Sequence, residues 1–169
     1  MPLKVIFLDT TVLGLVTQKP GRSQVADACI LWEATMVAAN ISVCVLEVAD
    51  FEIRRELIRA SSAAGIIRLE LHNAKISGRY LPIDTATMRE AATLWASARN
   101  KGLPTAPAGS LDGDAIIAGQ TRTFCAATGI ALDDAVIASS NARHLGRFVQ
   151  AAPWQSVIAG AAFGGTPNI

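Results

Sequence analysis

Two carboxylates one residue apart, Asp112 and Asp114, stand in the segment LDGDAIIAGQT (111–121), at the mouth of an apolar run. Another, Asp9, cuts VIFLDTTVLGL after a stretch expected to be buried, and Glu47, Asp50 and Glu52 crowd into VCVLEVADFEIRREL. Like charges gathered in one place repel, so a cluster of these acids needs a cation or raised pKa values to be tolerated. Oxygen donors of this kind suit Mg2+ or Mn2+ better than zinc; such ions are held by a few carboxylates together with water and substrate phosphates. Each acid taken singly has an ordinary structural reading. Asp112 or Asp114 could cap a helix, Glu52 could pair with Arg55 or Arg59, and Asn141 could end a turn. Asp9 is the exception, because turn chemistry does not explain an acid after a buried strand. The constellation says more than any member.

Other site chemistries lack their parts. There is no HExxH, and His72 and His144 lie far apart in sequence without matching cysteines. GxSxG, GxGxxG and GxxxxGK[ST] are absent, which removes the nucleophile-elbow, dinucleotide and P-loop readings.

The acids converge only if the elements around them form a parallel sheet. Short apolar runs predict strands near 3–8, 41–46, 79–83 and 134–139. Helical spacing predicts helices over 23–39, capped by Ser23, and from Glu47 to about Ala63, with IIRLEL as a helix end. Two more helices are expected, one capped by Asp84 or Thr85 and one over roughly 113–127, after the Pro- and Gly-rich loop NKGLPTAPAGSLDG. RFVQAAPWQSVI could hold a last edge strand, and GAAFGGTPNI reads as a frayed tail. Strands alternating with helices imply right-handed crossovers and a mainly parallel sheet covered on both faces. In such sheets ligands bind outside the carboxyl ends of the strands, where Asp9, the acids after the second strand, and Asn141 all fall.

Composition narrows the class without naming a substrate. With 169 residues, 51% hydrophobic and 17% charged, the chain fits one ordered domain with a sizeable core. A formal charge of +1 announces no nucleic-acid field, yet it leaves room for a local basic patch. Cys29, Cys44 and Cys125 sit in apolar segments with no CxxC, the pattern of buried free thiols in a reducing compartment. Asp9 interrupts the only apolar start, so a signal peptide is not expected, and no run reaches the ~18 apolar residues of a membrane span. A soluble, cytoplasmic protein with no membrane role is the expectation. Positive mean hydropathy with few charges also predicts association through apolar helical surface, as a homodimer or with an inhibitory protein.

Four blocks in this order, VIFLDTTVLGLV, FEIRREL, LDGDAIIAGQT and VIASSNARHLGRF, resemble the sequence signature of the PIN-domain family, which includes the VapC-like ribonuclease toxins of toxin–antitoxin modules. The resemblance runs from about residue 3 to about 149. It implies an α/β/α sandwich around a mainly parallel sheet, with residues 1–150 as the PIN-like domain and 151–169 as a C-terminal extension. It also implies an endoribonuclease dependent on Mg2+ or Mn2+, RNA as substrate, and an antitoxin protein as partner. By position, the catalytic acids would be Asp9, Glu52 and Asp114. Glu52 is preferred to Glu47 and Asp50 because its flanking residues match the family segment, though Glu47 lies closer to the strand end. The fourth acidic position falls on Asn141, which supplies oxygen without charge; Asp112 is the other candidate to complete the metal set of Asp9 and Asp114. His144 stands near where the family often has another acid. Thr10, Thr11, Ser139 and Ser140 are candidates to position water or phosphate, and Arg54, Arg55, Arg59, Arg143 and Arg147 to hold substrate phosphates. Such an ion acidifies water and offsets charge on the transition state, and a carboxylate not fully spent on it can orient or deprotonate the attacking water.

Two other functions compete. One is a catalytically weakened PIN-fold protein that binds RNA or protein, consistent with Asn141 and the modest charge. The other is a haloacid-dehalogenase-like phosphatase with Asp9 as covalent nucleophile; its usual second aspartate would fall at Thr11.

Overall fold

A computed structural model describes residues 2–102 and 108–160. In chain order the elements are β1 (Val5–Leu8), α1 (Thr10–Val16), α2 (Gln24–Ala38), β2 (Ser42–Leu46), α3 (Glu47–Arg59), α4 (Ala63–Ala74), β3 (Tyr80–Leu81), α5 (Thr85–Asn100), α6 (Ala108–Thr128), β4 (Ala135–Ser139), α7 (Ala142–Leu145) and β5 (Ala151–Pro153). The five strands form one all-parallel sheet in the order β3-β2-β1-β4-β5. Every residue of β1 and β4 is buried, with no alternation, as expected of central strands covered on both faces. Phe7 of β1 meets Phe124 of α6 edge to face, with centroids 5.5 Å apart. Residues 151–153 pair with β4, and the Trp32 indole N–H donates to the Val157 carbonyl at 2.8 Å. The segment after 150 is thus continuous with the same sheet and core. The expected tail GAAFGGTPNI lies, from residue 161 on, outside the described residues.

Helix starts follow local chemistry where a side chain can satisfy the free backbone N–H groups. Ser23 accepts from Ala26 N–H at 3.1 Å and Asp84 from Thr87 N–H at 2.7 Å, capping α2 and α5. Three expectations need correction. The single helix from Glu47 to Ala63 is broken at Ser61, whose φ of 52° is left-handed, so α3 ends at Arg59 and IIRLEL lies inside a second helix, α4. Leu69 on α4 is fully buried, and that packing continues the helix where the sequence reads as an ending. The third strand shrinks to Tyr80–Leu81. Finally, α6 begins at Ala108 rather than near 113, which puts Asp112 and Asp114 inside the helix and removes them as its caps. The Gly, Ser and Asp of AGSLDG favour a loop locally yet are helical here, extending a helix that packs closely on α5, where a Cβ on Gly119 would lie 2.9 Å from the Thr87 carbonyl.

A buried polar cluster fastens α2, α4 and the start of β3. Glu33 Oε1 lies 2.8 Å from His72 Nε2 and 3.1 Å from Arg79 Nη2, and Arg79 Nε donates to the Val43 carbonyl at 3.3 Å. Burial alone would raise the Glu33 carboxyl, but the His72 hydrogen bond and the charges of Arg79 and Lys75 bring it below its ordinary value. Among the described residues no helix is long and apolar enough to cross a membrane.

Candidate active site

In the strand order the chain runs outward from β1 through β2 to β3, then returns to the other side of β1 with β4. The crevice between the carboxyl ends of β1 and β4 is the topological switch point, the usual ligand position in such sheets. A cleft of about 350 Å³ opens there. Asp9 is the first residue past β1, and its N–H donates to the Ala138 carbonyl at 3.1 Å. Its carboxylate caps α1, accepting from Val12 N–H at 2.8 Å and from the Thr11 hydroxyl at 2.7 Å, while its other oxygen accepts from the Ser139 hydroxyl. Turn chemistry therefore does account for part of Asp9, contrary to the expectation. Burial pushes this carboxyl above its ordinary value, against the hydrogen bonds that lower it.

Glu52 reaches the same cleft from α3 and accepts from the Thr10 hydroxyl. Its two acidic neighbours do not line this cleft. Glu47 accepts from the Ile83 N–H, and Asp50 is held by Arg54 at 2.8 Å and Asn73 at 2.7 Å. Helical rotation of roughly 100° per residue separates the three directions. Asp114 arrives from α6, half-buried, with its carboxyl pushed up to about 6: burial first, then the charges of Glu52 and Asp9, opposed by His144 and Arg147. A Cβ on residue 113 would lie 3.0 Å from Glu52 Oε1, so Gly113 leaves the Glu52 carboxylate its space.

Asp112 does not join this cleft. Two residues before Asp114 and about 200° around the helix, it is exposed and borders an apolar groove between α5 and α6 with Met88, Trp95 and Ile116. Asn141 does line the acidic cleft, and its N–H donates to the Ser139 hydroxyl at 2.8 Å. Ser140 is exposed, its N–H donating to the Thr11 hydroxyl at 3.1 Å. The candidate phosphate-binding arginines divide sharply. Arg54 is committed to Asp50 and Glu70, Arg59 to Glu56, and Arg55 lies over the Phe51 ring 3.9 Å from Glu56. Arg143 is exposed on α7, beside the cleft-lining His144. The sequence alone assigns His144 no role; its place near a position where the PIN-domain pattern often has an acid is the signal that points to it.

Among the described residues, no three His, Cys, Asp or Glu side chains are gathered closely enough to enclose a metal ion. Both Asp9 carboxylate oxygens and Glu52 Oε2 accept hydroxyl hydrogen bonds, from Thr11, Ser139 and Thr10. The donor chemistry still fits a hard divalent ion: three carboxylates, an amide and several hydroxyls line the cleft, with no thiol among them.

No protein-family model and no curated protein matches the chain. Solved structures do match its fold. FitAcB from Neisseria gonorrhoeae superposes with a TM-score of 0.63 at 16% identity, covering 90% of this chain and 99% of that one. VapBC2 from Rickettsia felis, bound to a DNA fragment from its promoter, gives 0.62 at 12% identity over 89% and 98% of the two chains. DNA-bound VapBC from Salmonella typhimurium gives 0.58 at 19% identity over 90% and 98%. The chain has a PIN-like, VapC-type α/β fold.

Proposed function

We propose that this protein is a metal-dependent endoribonuclease acting as the toxin of a toxin–antitoxin pair. The observation that carries the reading is the convergence of Asp9, Glu52 and Asp114 from three separate elements on one cleft, where burial and mutual charge raise Asp114. Asp9 and Asp114, with Asn141 at the rim, would hold Mg2+ or Mn2+; when bound, the ion acidifies water and offsets negative charge on the phosphorus centre. Glu52, held by Thr10, is the carboxylate left to orient the attacking water. Ser139 and Thr11 keep Asp9 in one rotamer. An antitoxin partner follows from the neighbouring complexes. Exposed Phe51 and Ile58 on α3, with Ile67 and Leu71 on α4, give such a partner or a second copy apolar surface to cover. A cytoplasmic location accords with the buried free thiols.

The test is Mn2+-dependent cleavage of RNA by folded Asp9→Asn, Glu52→Gln and Asp114→Asn variants, with Glu47→Gln as comparison. Each of the first three should lose at least about a hundredfold in rate, the scale of a removed charge-stabilising or proton-transfer group. Full activity in Asp9→Asn would end the nuclease reading, and loss in Glu47→Gln with none in Glu52→Gln would move the second acid. A wild-type protein that binds RNA without cutting it would favour the weakened binding protein, for which the uncharged Asn141 is the motive.

A further inference from the structure

We infer that His144 is a nitrogen ligand of the divalent ion, biasing the cleft toward first-row transition ions such as Mn2+ over Mg2+, an inference that rests on the nuclease reading for the presence of an ion. Asp9, Asp114, Asn141 and His144 line one cleft, and among the described residues His144 is the only side chain there with a ring nitrogen to offer.

Lone pairs decide which donors remain. Asp9 Oδ1 accepts from Val12 N–H at 2.8 Å and from the Thr11 hydroxyl at 2.7 Å, and Oδ2 accepts from the Ser139 hydroxyl. A carboxylate oxygen has two acceptor sites, so Oδ1 is spent and Oδ2 keeps one. Glu52 Oε2 is engaged by Thr10. Among the described residues, the side chains of Asp114, Asn141 and His144 make no hydrogen bond or ion pair, so their donors stay open to an ion. Mg2+ takes oxygen donors, dehydrates reluctantly and keeps water in its remaining positions. Transition ions accept imidazole as well, Mn2+ at the weak end of a series that strengthens toward Cu2+. A nitrogen donor in this cleft therefore discriminates between the two classes. As a ligand the imidazole is neutral, so it adds a donor without adding charge. His144 is half-buried on the single turn of α7, and the buried Leu145 beside it anchors that turn at the cleft. The acids and His144 do not enclose an ion as they stand. Rotation of the His144 ring toward the ion breaks no hydrogen bond, so closing the shell costs little.

The experiment reads the ion's own ligands. The chain has two histidines, and His72 is buried against Glu33 and Arg79 and does not line the cleft, so an imidazole bound to the ion reports His144. Electron spin-echo modulation of Mn2+ bound to the untagged full chain should show a directly coordinated nitrogen in wild type. His144→Phe, which keeps a ring without a donor, should lose that coupling. Titrations followed by the resonance of free Mn2+ should show Mn2+ affinity about tenfold weaker in His144→Phe, the low end for a lost contact at a metal site. Mg2+ affinity, read by competition, should stay within about twofold, because Mg2+ makes little use of nitrogen. His144→Asp should also lose the nitrogen coupling yet hold Mg2+ at least as tightly as wild type. No Mn2+ binding by wild type, no nitrogen coupling in its spectrum, or a parallel loss of Mn2+ and Mg2+ affinity in His144→Phe overturns the inference. The wild-type spectrum needs no substitution, so it decides even where a variant does not fold. Nitrogen-coupled Mn2+ in a protein that never cuts RNA would keep this inference and remove the nuclease reading. Mn2+-dependent cutting without nitrogen coupling would do the reverse.

Discussion

Asp114→Asn should make the metal-free protein more stable at neutral pH, although it removes a residue proposed to be essential. In the folded chain the Asp114 carboxyl sits at about 6 against an ordinary 3.8, so the native state binds more protons than the unfolded state between those values. Stability from this group therefore falls as pH rises through the window, and above about 6 the ionised carboxylate is a net cost to folding. A difference of about two pH units at about 1.36 kcal/mol each would be near 3 kcal/mol. Asp114 is only half-buried, and solvent screening reduces that to about 1–2 kcal/mol. Asparagine keeps the shape without the charge, so at pH 7 in EDTA the variant should melt roughly 2–8 °C higher than wild type. The gap should close as pH is lowered from 7 to 4, because protonated Asp114 no longer pays the cost. Mn2+ should raise the melting temperature of wild type more than that of the variant, since binding to the native state alone stabilises it. Thermal melts followed by circular dichroism at pH 4, 5, 6 and 7, with and without Mn2+, supply every number. A variant less stable than wild type in EDTA at pH 7, or a gap that is the same at pH 4, would refute the electrostatic account of the cleft.

Gly113→Ala should cut activity while leaving stability equal or higher: the new methyl crowds Glu52 Oε1 from 3.0 Å, whereas alanine favours a helix interior by about 1 kcal/mol, which kinetics and melting measured together would separate. Arg79→Met should cost about 3–5 kcal/mol in urea titrations, because it strands Glu33 and His72 in the interior without their cation. Burial pushes the Cys29 thiol up to about 12 and those of Cys44 and Cys125 to about 11, so iodoacetamide at pH 8 should label none of them until the protein is unfolded.

The strand residues carry their own signal. Val5–Leu8, Ser42–Leu46 and Ala135–Ser139 read as central strands because uninterrupted apolar runs have no other use in a covered parallel sheet, and Ser23 and Asp84 mark helix starts through one local hydrogen bond each. Boundaries set by contacts distant in sequence were not legible. The early start of α6 falls in AGSLDG, whose Gly, Ser and Asp favour a loop locally, and the restart at Ala63 depends on burying Leu69.

For the candidate site the division is the same. By itself the sequence determined which carboxylates follow strands, and strand order then brings Asp9 and Asn141 to one crevice, because parallel strands all end on the same edge. Only the tertiary structure decided which acids in α3 and α6 turn toward it. Glu47 and Asp50 are taken up by Ile83 and by Arg54 and Asn73, Asp112 faces the α5–α6 groove, and Glu52 and Asp114 remain. The direction of a helical side chain depends on where the helix starts and what it packs against, and a shift of one residue turns it by about 100°. Residue type and spacing specify the donors; helix phase, set by packing, selects among them.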